Sequence, residues 1–309
     1  MQGVVYRSTG SWYFVKDAEG VMWNARVKGK LKIDDAISST NPIAVGDVVS
    51  YDVEDSTTKT AIVKEIIDRH NYIVRVSPHN RHQKHIIASN LDLALLIGSI
   101  ADPRTSNGFI DRFLITAEAY HIPAAIVINK IDLLNEKHKV ILSRWQDLYN
   151  AAGYSVYAVT ATDKTTLVDV EALIKDKTTL FSGHSGVGKS TIINHLLPGL
   201  ELRTQEVSGW SGKGQHTTTF AEMFDLPGGG RIVDTPGVKE FGLIDFKKEE
   251  LSQYFPEMRK VMGKCKFNNC LHINEPGCAV MKAVAEHVIS EERYVSYVNI
   301  LDSIEEEKW

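Results

Sequence analysis

Gly183-His184-Ser185-Gly186-Val187-Gly188-Lys189-Ser190 is the most informative segment of the chain. It fits G-x-x-x-x-G-K-[ST], the pattern of a loop that cradles phosphate groups. Apolar Leu180-Phe181 precedes it, and the helix-like run Thr191-Ile192-Ile193-Asn194-His195-Leu196-Leu197 follows. Strand, loop and helix in that order are the context the motif requires. Glycines let consecutive backbone N–H groups turn toward the phosphates, helped by the positive end of the helix that begins there. Lys189 can reach the β- and γ-phosphates, and the Ser190 hydroxyl can ligate Mg²⁺. Phosphate contacts are therefore expected from Gly183 through Thr191. A Gly-rich turn before an ordinary helix is the plain alternative, and the flanks argue against it.

Working upstream, the chain alternates strands and helices. Leu91 to Ile97 is a nearly continuous apolar run, as in a buried parallel strand. Phe109, Ile110, Phe113, Leu114 and Ala117 then recur at helical spacing. Ala124 to Ile128 reads as the next strand. Val140, Ile141, Trp145 and Leu148 mark a helix, and Tyr154 to Val159 a further strand. A short helix near Leu167 to Ile174 leads to the strand Thr178 to Phe181. Such repeats predict a doubly wound sheet with its ligand loops at the strand C-termini.

Two of those ends carry chemistry. Asn129-Lys130-Ile131-Asp132 is an N-K-x-D element, which resembles the guanine-specificity loop of GTPases. A carboxylate such as Asp132 can accept from both the ring N–H and the exocyclic amine of guanine. Adenine offers neither donor in that arrangement and would leave a buried Asp132 unpaired. This argues against an ATPase or kinase. Thr160-Ala161-Thr162 resembles the Ser-Ala-x loop that backs the base, with Thr for Ser.

Downstream of the phosphate loop, residues 201–219 lose periodicity and are rich in Gly and polar residues, as in a switch ordered by the γ-phosphate. One hydroxyl of Thr217-Thr218-Thr219 is expected to complete the Mg²⁺ shell, with Thr218 favoured. The strand Arg231 to Val233 delivers Asp234-Thr235-Pro236-Gly237, a D-x-x-G element. Asp234 can hold Mg²⁺ through water, and the Gly237 N–H can bond the γ-phosphate. Val238 follows where many small GTPases place Gln, so His216 is the candidate catalytic group near the attacking water. Conventional GTPases begin with the phosphate loop. Here N-K-x-D and Thr-Ala-Thr precede it, a circular permutation that the closeness of domain termini allows. The switches then lead straight into the C-terminal region, which is expected to move with the nucleotide.

That region holds Cys265-x4-Cys270-x-His272-x5-Cys278, a set suited to one tetrahedral, structural Zn²⁺ with no open position. Lys247, Lys248, Arg259, Lys260, Lys264, Lys266 and Lys282 surround it, a helical run from Ala283 to Ile304 follows, and Glu305-Glu306-Glu307 closes the chain. A formal net charge of −4 thus hides local basic surface.

At the other end, residues 1–67 read as five short β-branched and aromatic strands separated by turns, hence a small barrel. The OB-fold is the commonest five-stranded choice, and an SH3-like barrel would give a similar pattern. Lys28-Gly29-Lys30-Leu31-Lys32 is a basic loop between two of the strands. Residues 68–90, with Arg69, Arg75, Arg81, Lys84 and four histidines, read as a connecting strip that is either an RNA contact or a plain linker. No stretch of 18 apolar residues exists and no signal peptide opens the chain. A cytoplasmic monomer without membrane contact is the expectation. Three cysteines within fourteen residues do not make a disulfide framework.

These pieces together resemble the RsgA (YjeQ) family, circularly permuted bacterial GTPases that depend on the small ribosomal subunit. Arg69-His70-Asn71-Tyr72-Ile73-Val74-Arg75 also resembles the family's R-x-N-x-L-x-R link, and His216-Thr217-Thr218-Thr219 its switch, with Gln215 where the family has Arg. The resemblance implies an OB-type barrel over 1–69, a permuted GTPase domain over 70–244 and a mainly helical zinc domain over 245–309. It implies binding of the small (30S) subunit and its rRNA late in maturation, with GTP hydrolysed to GDP to time release. A nucleotide-regulated RNA-binding module in which hydrolysis is incidental is the alternative.

Overall fold

The computed structural model describes residues 1–28, 42–77, 80–200, 221–235 and 246–304, with backbone alone for 75–77 and 80–84. The candidates His216, Thr218 and Gly237, most of the basic loop 28–32, and the acidic end 305–307 lie outside the described residues.

The first five strands, β1 (Gln2–Ser8), β2 (Tyr13–Asp17), β3 (Met22–Val27), β4 (Val48–Asp55) and β5 (Thr60–Ile66), pair in the order β1-β2-β3-β5-β4. β4 returns to β1, so the barrel closes. The β3–β5 pair is parallel and the other barrel pairs are antiparallel, the OB arrangement, which removes the SH3-like alternative. Period-2 burial explains why these residues form it. Val15, Trp23, Ala25, Val49, Tyr51, Ala61 and Val63 point inward, while Asn24 and Arg26 face out.

The described residues of 68–90 are not an irregular linker. β6 (Tyr72–Ser77) and β7 (Asn80–Ser89) form an antiparallel two-stranded sheet. Arg69, counted among the possible RNA contacts, grips buried Asp47 through Nε and Nη2, each at 2.6 Å. Ser89 Oγ donates to the same carboxylate at 2.5 Å. The arginine therefore neutralises a buried acid at the base of the barrel.

The second half of the large sheet runs β10 (Val156–Ala158), β9 (Ala124–Asn129), β8 (Leu93–Ser99), β11 (Thr178–Ser182), β13 (Arg231–Asp234) and β12 (Glu222–Asp225). All neighbours are parallel except β12 and β13. α1 (Asn107–Ala119), α2 (Glu136–Ala152), α3 (Val168–Ile174) and α4 (Lys189–Leu196) cover its faces. Every residue of β8 is buried, as its unbroken apolar run requires. Val140 of α2 is largely exposed, since the buried stripe there is Trp145, Leu148, Tyr149 and Ala152. β12 also pairs with β1 at Arg7 and Glu222, which joins barrel and α/β region in one continuous sheet.

After a 3-10 segment, Lys248–Tyr254, come α5 (Pro256–Met262), α6 (Ala279–Ala285) and α7 (Glu291–Ser303). The run expected to be one helix from Ala283 is broken, because Ile289 turns into the core between α6 and α7. This C-terminal region packs against α1. Ile115 of α1 sits in its apolar core, and Arg293 of α7 donates to Asp111 of α1 and, at 2.7 Å, to Glu257 of α5. Arg293 and Asp111 are buried, and Glu257 is largely so. The C-terminal helices are thus fastened to α1.

Candidate nucleotide site and metal centre

The phosphate loop leaves β11 through Gly183, where an added Cβ would lie 2.3 Å from the Ile97 carbonyl oxygen of β8. Gly188 has φ +93, and a Cβ there would lie 2.2 Å from the Asn129 amide nitrogen. Only glycine permits both approaches. Val187 is buried between them, and Gly186 also takes a left-handed φ, +84. The first hydrogen bond of α4 runs from Ile192 N to Gly188 O at 3.0 Å. The N–H groups of Lys189, Ser190 and Thr191 are consequently free of the helix ladder and available to an anion.

Lys189 Nζ lies 2.5 Å from Asp234 Oδ1 and 2.9 Å from the Thr235 carbonyl oxygen. Burial pushes the Asp234 carboxyl up from its ordinary pKa, and the Lys189 ammonium opposes that shift. The two residues assigned to phosphate and Mg²⁺ therefore neutralise one another across the strand ends. A nucleotide with its cation would have to replace this pair on both sides.

Asn129 organises the rest. Its amide donates to Val187 O at 2.8 Å and its Oδ1 accepts from Ala161 N at 2.9 Å, so one buried side chain fastens three loops together. Lys130 takes a left-handed φ of +65 and donates to the Asp102 carbonyl at 2.7 Å. Ile131 N bonds Val159 O at 3.2 Å. Asp132, expected to be buried, is exposed, and its carboxylate accepts from the Thr160 hydroxyl at 3.1 Å. Its carboxylate faces solvent among the described residues. Thr166, which the motifs did not reveal, closes that loop by accepting from Thr160 N and donating to Thr160 O. His184 is half-buried against Phe109 and Thr105, whereas Ser185 is exposed.

At the C-terminal end, single donor atoms of Cys265, Cys270, His272 and Cys278 lie within 4.8 Å of one another. His272 Nδ1 is 3.6 Å from Cys265 Sγ and 3.4 Å from Cys278 Sγ. Burial pushes the Cys270 thiol up to about 12, with the neighbouring cysteines adding to it. Three sulfurs and an imidazole so placed can hold a metal ion, which would stabilise the thiolates that burial disfavours. The supporting shell was not legible in the cysteine spacing. The Glu275 carboxylate accepts from Leu271 N, Ile273 N and Asn274 N at 2.7, 2.9 and 3.1 Å. Tyr294 and Tyr297 of α7 donate to the His272 and Leu271 carbonyls, each at 2.7 Å. Cys278 also caps α6, accepting from Met281 N.

Comparison with known proteins now adds to this geometry. The model of the RsgA GTPase family matches residues 66–244, and that of the RsgA N-terminal domain matches residues 2–62. The chain belongs to the RsgA family. It is a GTP-hydrolysing enzyme of the ribosome-biogenesis class. Two proteins named small ribosomal subunit biogenesis GTPase RsgA show how far the similarity extends. That of Flavobacterium psychrophilum is 51% identical over 307 residues, covering 99% of this chain and 94% of its own. That of Bacteroides fragilis is 48% identical over 309 residues, covering 100% and 99%. The crystal structure of YjeQ from Thermotoga maritima superposes with a TM-score of 0.78 at 30% identity, covering 97% of each chain. YloQ, described as a circularly permuted GTPase, gives a TM-score of 0.76 at 30% identity, covering 100% of this chain and 96% of its own. An RsgA fold thus accounts for the order in which the loops occur along the chain.

Proposed function

We propose that this chain binds the small (30S) ribosomal subunit and its rRNA late in maturation, and that subunit-stimulated hydrolysis of GTP to GDP times release. The observation that carries this reading is full-length similarity to proteins named for small-subunit biogenesis. Phe267 supports an RNA contact, being exposed on the metal-binding loop beside exposed Lys264 and Lys266, with the Lys266 ammonium 5.5 Å from its ring centre. The units proposed are 1–69, 70–244 and 245–309, in a cytoplasmic monomer. No helix among the described residues is long and apolar enough to cross a membrane.

In this reading the N–H groups of Gly183 to Thr191 and the Lys189 ammonium hold the phosphates. Asp132, braced by Thr160 and Ala161, reads guanine, while Asn129, Lys130 and Ile131 hold that loop in place. Bound Mg²⁺ supplies positive charge to the phosphate oxygens, with Ser190, Thr218 and Asp234 as its protein partners. Gly237 bonds the γ-phosphate, and His216 orients the attacking water. The ion at Cys265, Cys270, His272 and Cys278 is one structural Zn²⁺. A zinc tetrahedron with bonds of about 2.0–2.3 Å has sulfur–nitrogen edges of roughly 3.5 Å, near the separations of 3.4 and 3.6 Å found here.

GTP turnover with and without purified small subunits, at several salt concentrations, tests the proposal. Stimulation of at least about tenfold at low salt is expected, falling as salt rises and phosphate contacts are screened. Equal rates with and without subunits at low salt would overturn it in favour of an RNA-binding module with incidental hydrolysis. Guanine reading has its own test. Asp132→Asn should weaken GDP binding by about 100-fold or more, because one amide cannot accept from both donors of guanine. The same variant should gain affinity for xanthosine diphosphate, whose C2 carbonyl accepts the new N–H. Unaltered GDP affinity would remove Asp132 from the site.

A further inference from the structure

The ring of His184 is engaged at both nitrogens. Nδ1 lies 3.4 Å from the carbonyl oxygen of Ser185, the next residue of the phosphate loop. Nε2 lies 2.7 Å from Thr105 Oγ1. Thr105 is 1% exposed and accepts the N–H of Ser99, the last residue of β8, at 2.9 Å. A carbonyl oxygen can only accept, so the Ser185 contact places the ring proton on Nδ1. Nε2 of the neutral ring is then an acceptor, and it takes the one proton the Thr105 hydroxyl has to give. Burial favours that neutral form. The bonds run in one direction, from Ser99 N–H through Thr105 and His184 to Ser185.

The end of this chain of bonds matters because a trans peptide is planar, with its C=O and N–H pointing to opposite sides. Holding Ser185 O toward the imidazole holds the Gly186 N–H away from it. Phosphate loops work by aiming such N–H groups before the anion arrives. Gly186 has the left-handed φ of +84 that this orientation uses. The same 99–106 loop offers the Asp102 carbonyl to Lys130, so the phosphate loop and the N-K-x-D loop lean on one support.

We propose that His184 is a positioning residue, which with Thr105 forms a hydrogen-bond relay that presets the Gly186 N–H for the diphosphate of a guanine nucleotide. The proposal rests on the nucleotide-site reading above. The competing role is packing, since the ring also meets Phe109 edge-on at 5.4 Å between centroids. His184→Phe keeps an aromatic ring and loses both bonds. Thr105→Val removes the hydroxyl, and Thr105→Ser retains it.

GDP binding by calorimetry and GTP steady-state kinetics on the full chain decide between the two roles. His184→Phe should raise the GDP Kd and the KM for GTP about tenfold, the equivalent of one well-placed hydrogen bond, with kcat changing little. Thr105→Val should raise both about fivefold, and Thr105→Ser should restore them. The double variant should lose no more than His184→Phe alone, because both substitutions break one relay. GDP binding by His184→Phe within twofold of the unaltered chain would overturn the relay, as would a double-variant loss equal to the product of the singles. Absence of GDP binding by the unaltered chain would remove the nucleotide-site reading itself, and the relay with it.

Discussion

Replacing Cys270 with serine, or stripping the protein with a strong chelator, is expected to release the one proposed zinc ion per chain and unfold the region from 246 to 304. Cys270 and Cys278 are not appended to a finished core; they lie within it, among Leu251, Phe255, Met258 and Ile300. The loop that carries the ligands has little regular structure of its own between α5 and α6. It is closed by Glu275 and by two tyrosine–carbonyl bonds from α7. Without a metal, three neighbouring sulfurs and an imidazole must share one buried space, and the raised thiol of Cys270 shows how poorly that space tolerates charge. Structural zinc contributes apparent binding free energies of about 10–16 kcal/mol, which appear as folding free energy. Metal analysis together with hydrogen exchange over α6 and α7 reads the outcome. Native protein lacking zinc, or a Cys270→Ser chain that keeps both the metal and slow exchange, would defeat the expectation.

Arg293→Ala will lower stability by about 3–5 kcal/mol, the usual cost of leaving buried carboxylates without their cation. Arg293 is 1% exposed and lies between Asp111, also 1% exposed, and Glu257. Its guanidinium stacks 4.6 Å from the Phe255 ring centre. Burial works against its charge, but Asp111 and Glu257 outweigh that and hold its pKa above the ordinary value. Burial pushes Asp111 upward, and the guanidinium opposes it. Removing the arginine leaves both acids to be protonated or rehydrated, and α7 separates from α1. Denaturant unfolding measures the loss. Arg293→Met keeps most of the side-chain volume and should be nearly as damaging. A loss below about 1 kcal/mol in Arg293→Met would mean that packing, not the ion triad, holds the interface.

The two ends of the molecule are attached to the α/β region at different places. β12 pairs with β13 on one side and is hydrogen-bonded to β1 of the barrel on the other. Asp225 at the end of β12 accepts from Tyr6 and Lys16 of the barrel, each at 2.5 Å. The C-terminal helices meet α1, which follows the strand on the far side of the phosphate loop. The barrel is therefore attached through β12, and the metal-bearing end through α1.

Motifs whose function resides in consecutive backbone atoms were legible in the chain. The glycines at 183, 186 and 188, the strand-end position of Asn129 to Asp132, and the cysteine spacing each specify local geometry within a few residues. So did burial, where apolar residues recur with period 2 in the barrel and without interruption in β8. What a polar side chain does once folded was not legible. The ion pair of Arg69 with Asp47 could not be read from the chain, nor could the bonds by which Asn129 holds three loops together. Thr105 and Arg293 carried no motif at all.

Residue order along the chain marks a phosphate loop, a guanine-type loop, four candidate metal ligands and a permuted order of parts. Tertiary structure alone decided the OB closure of the barrel, the Lys189–Asp234 pair, the His184–Thr105 bond and the docking of α7 on α1. The physical reason is the range of the interactions. Periodicity and turn chemistry are set by neighbours along the chain, whereas a buried charge or hydroxyl must be matched by whichever partner the topology delivers. For Arg293 that partner is 182 residues away.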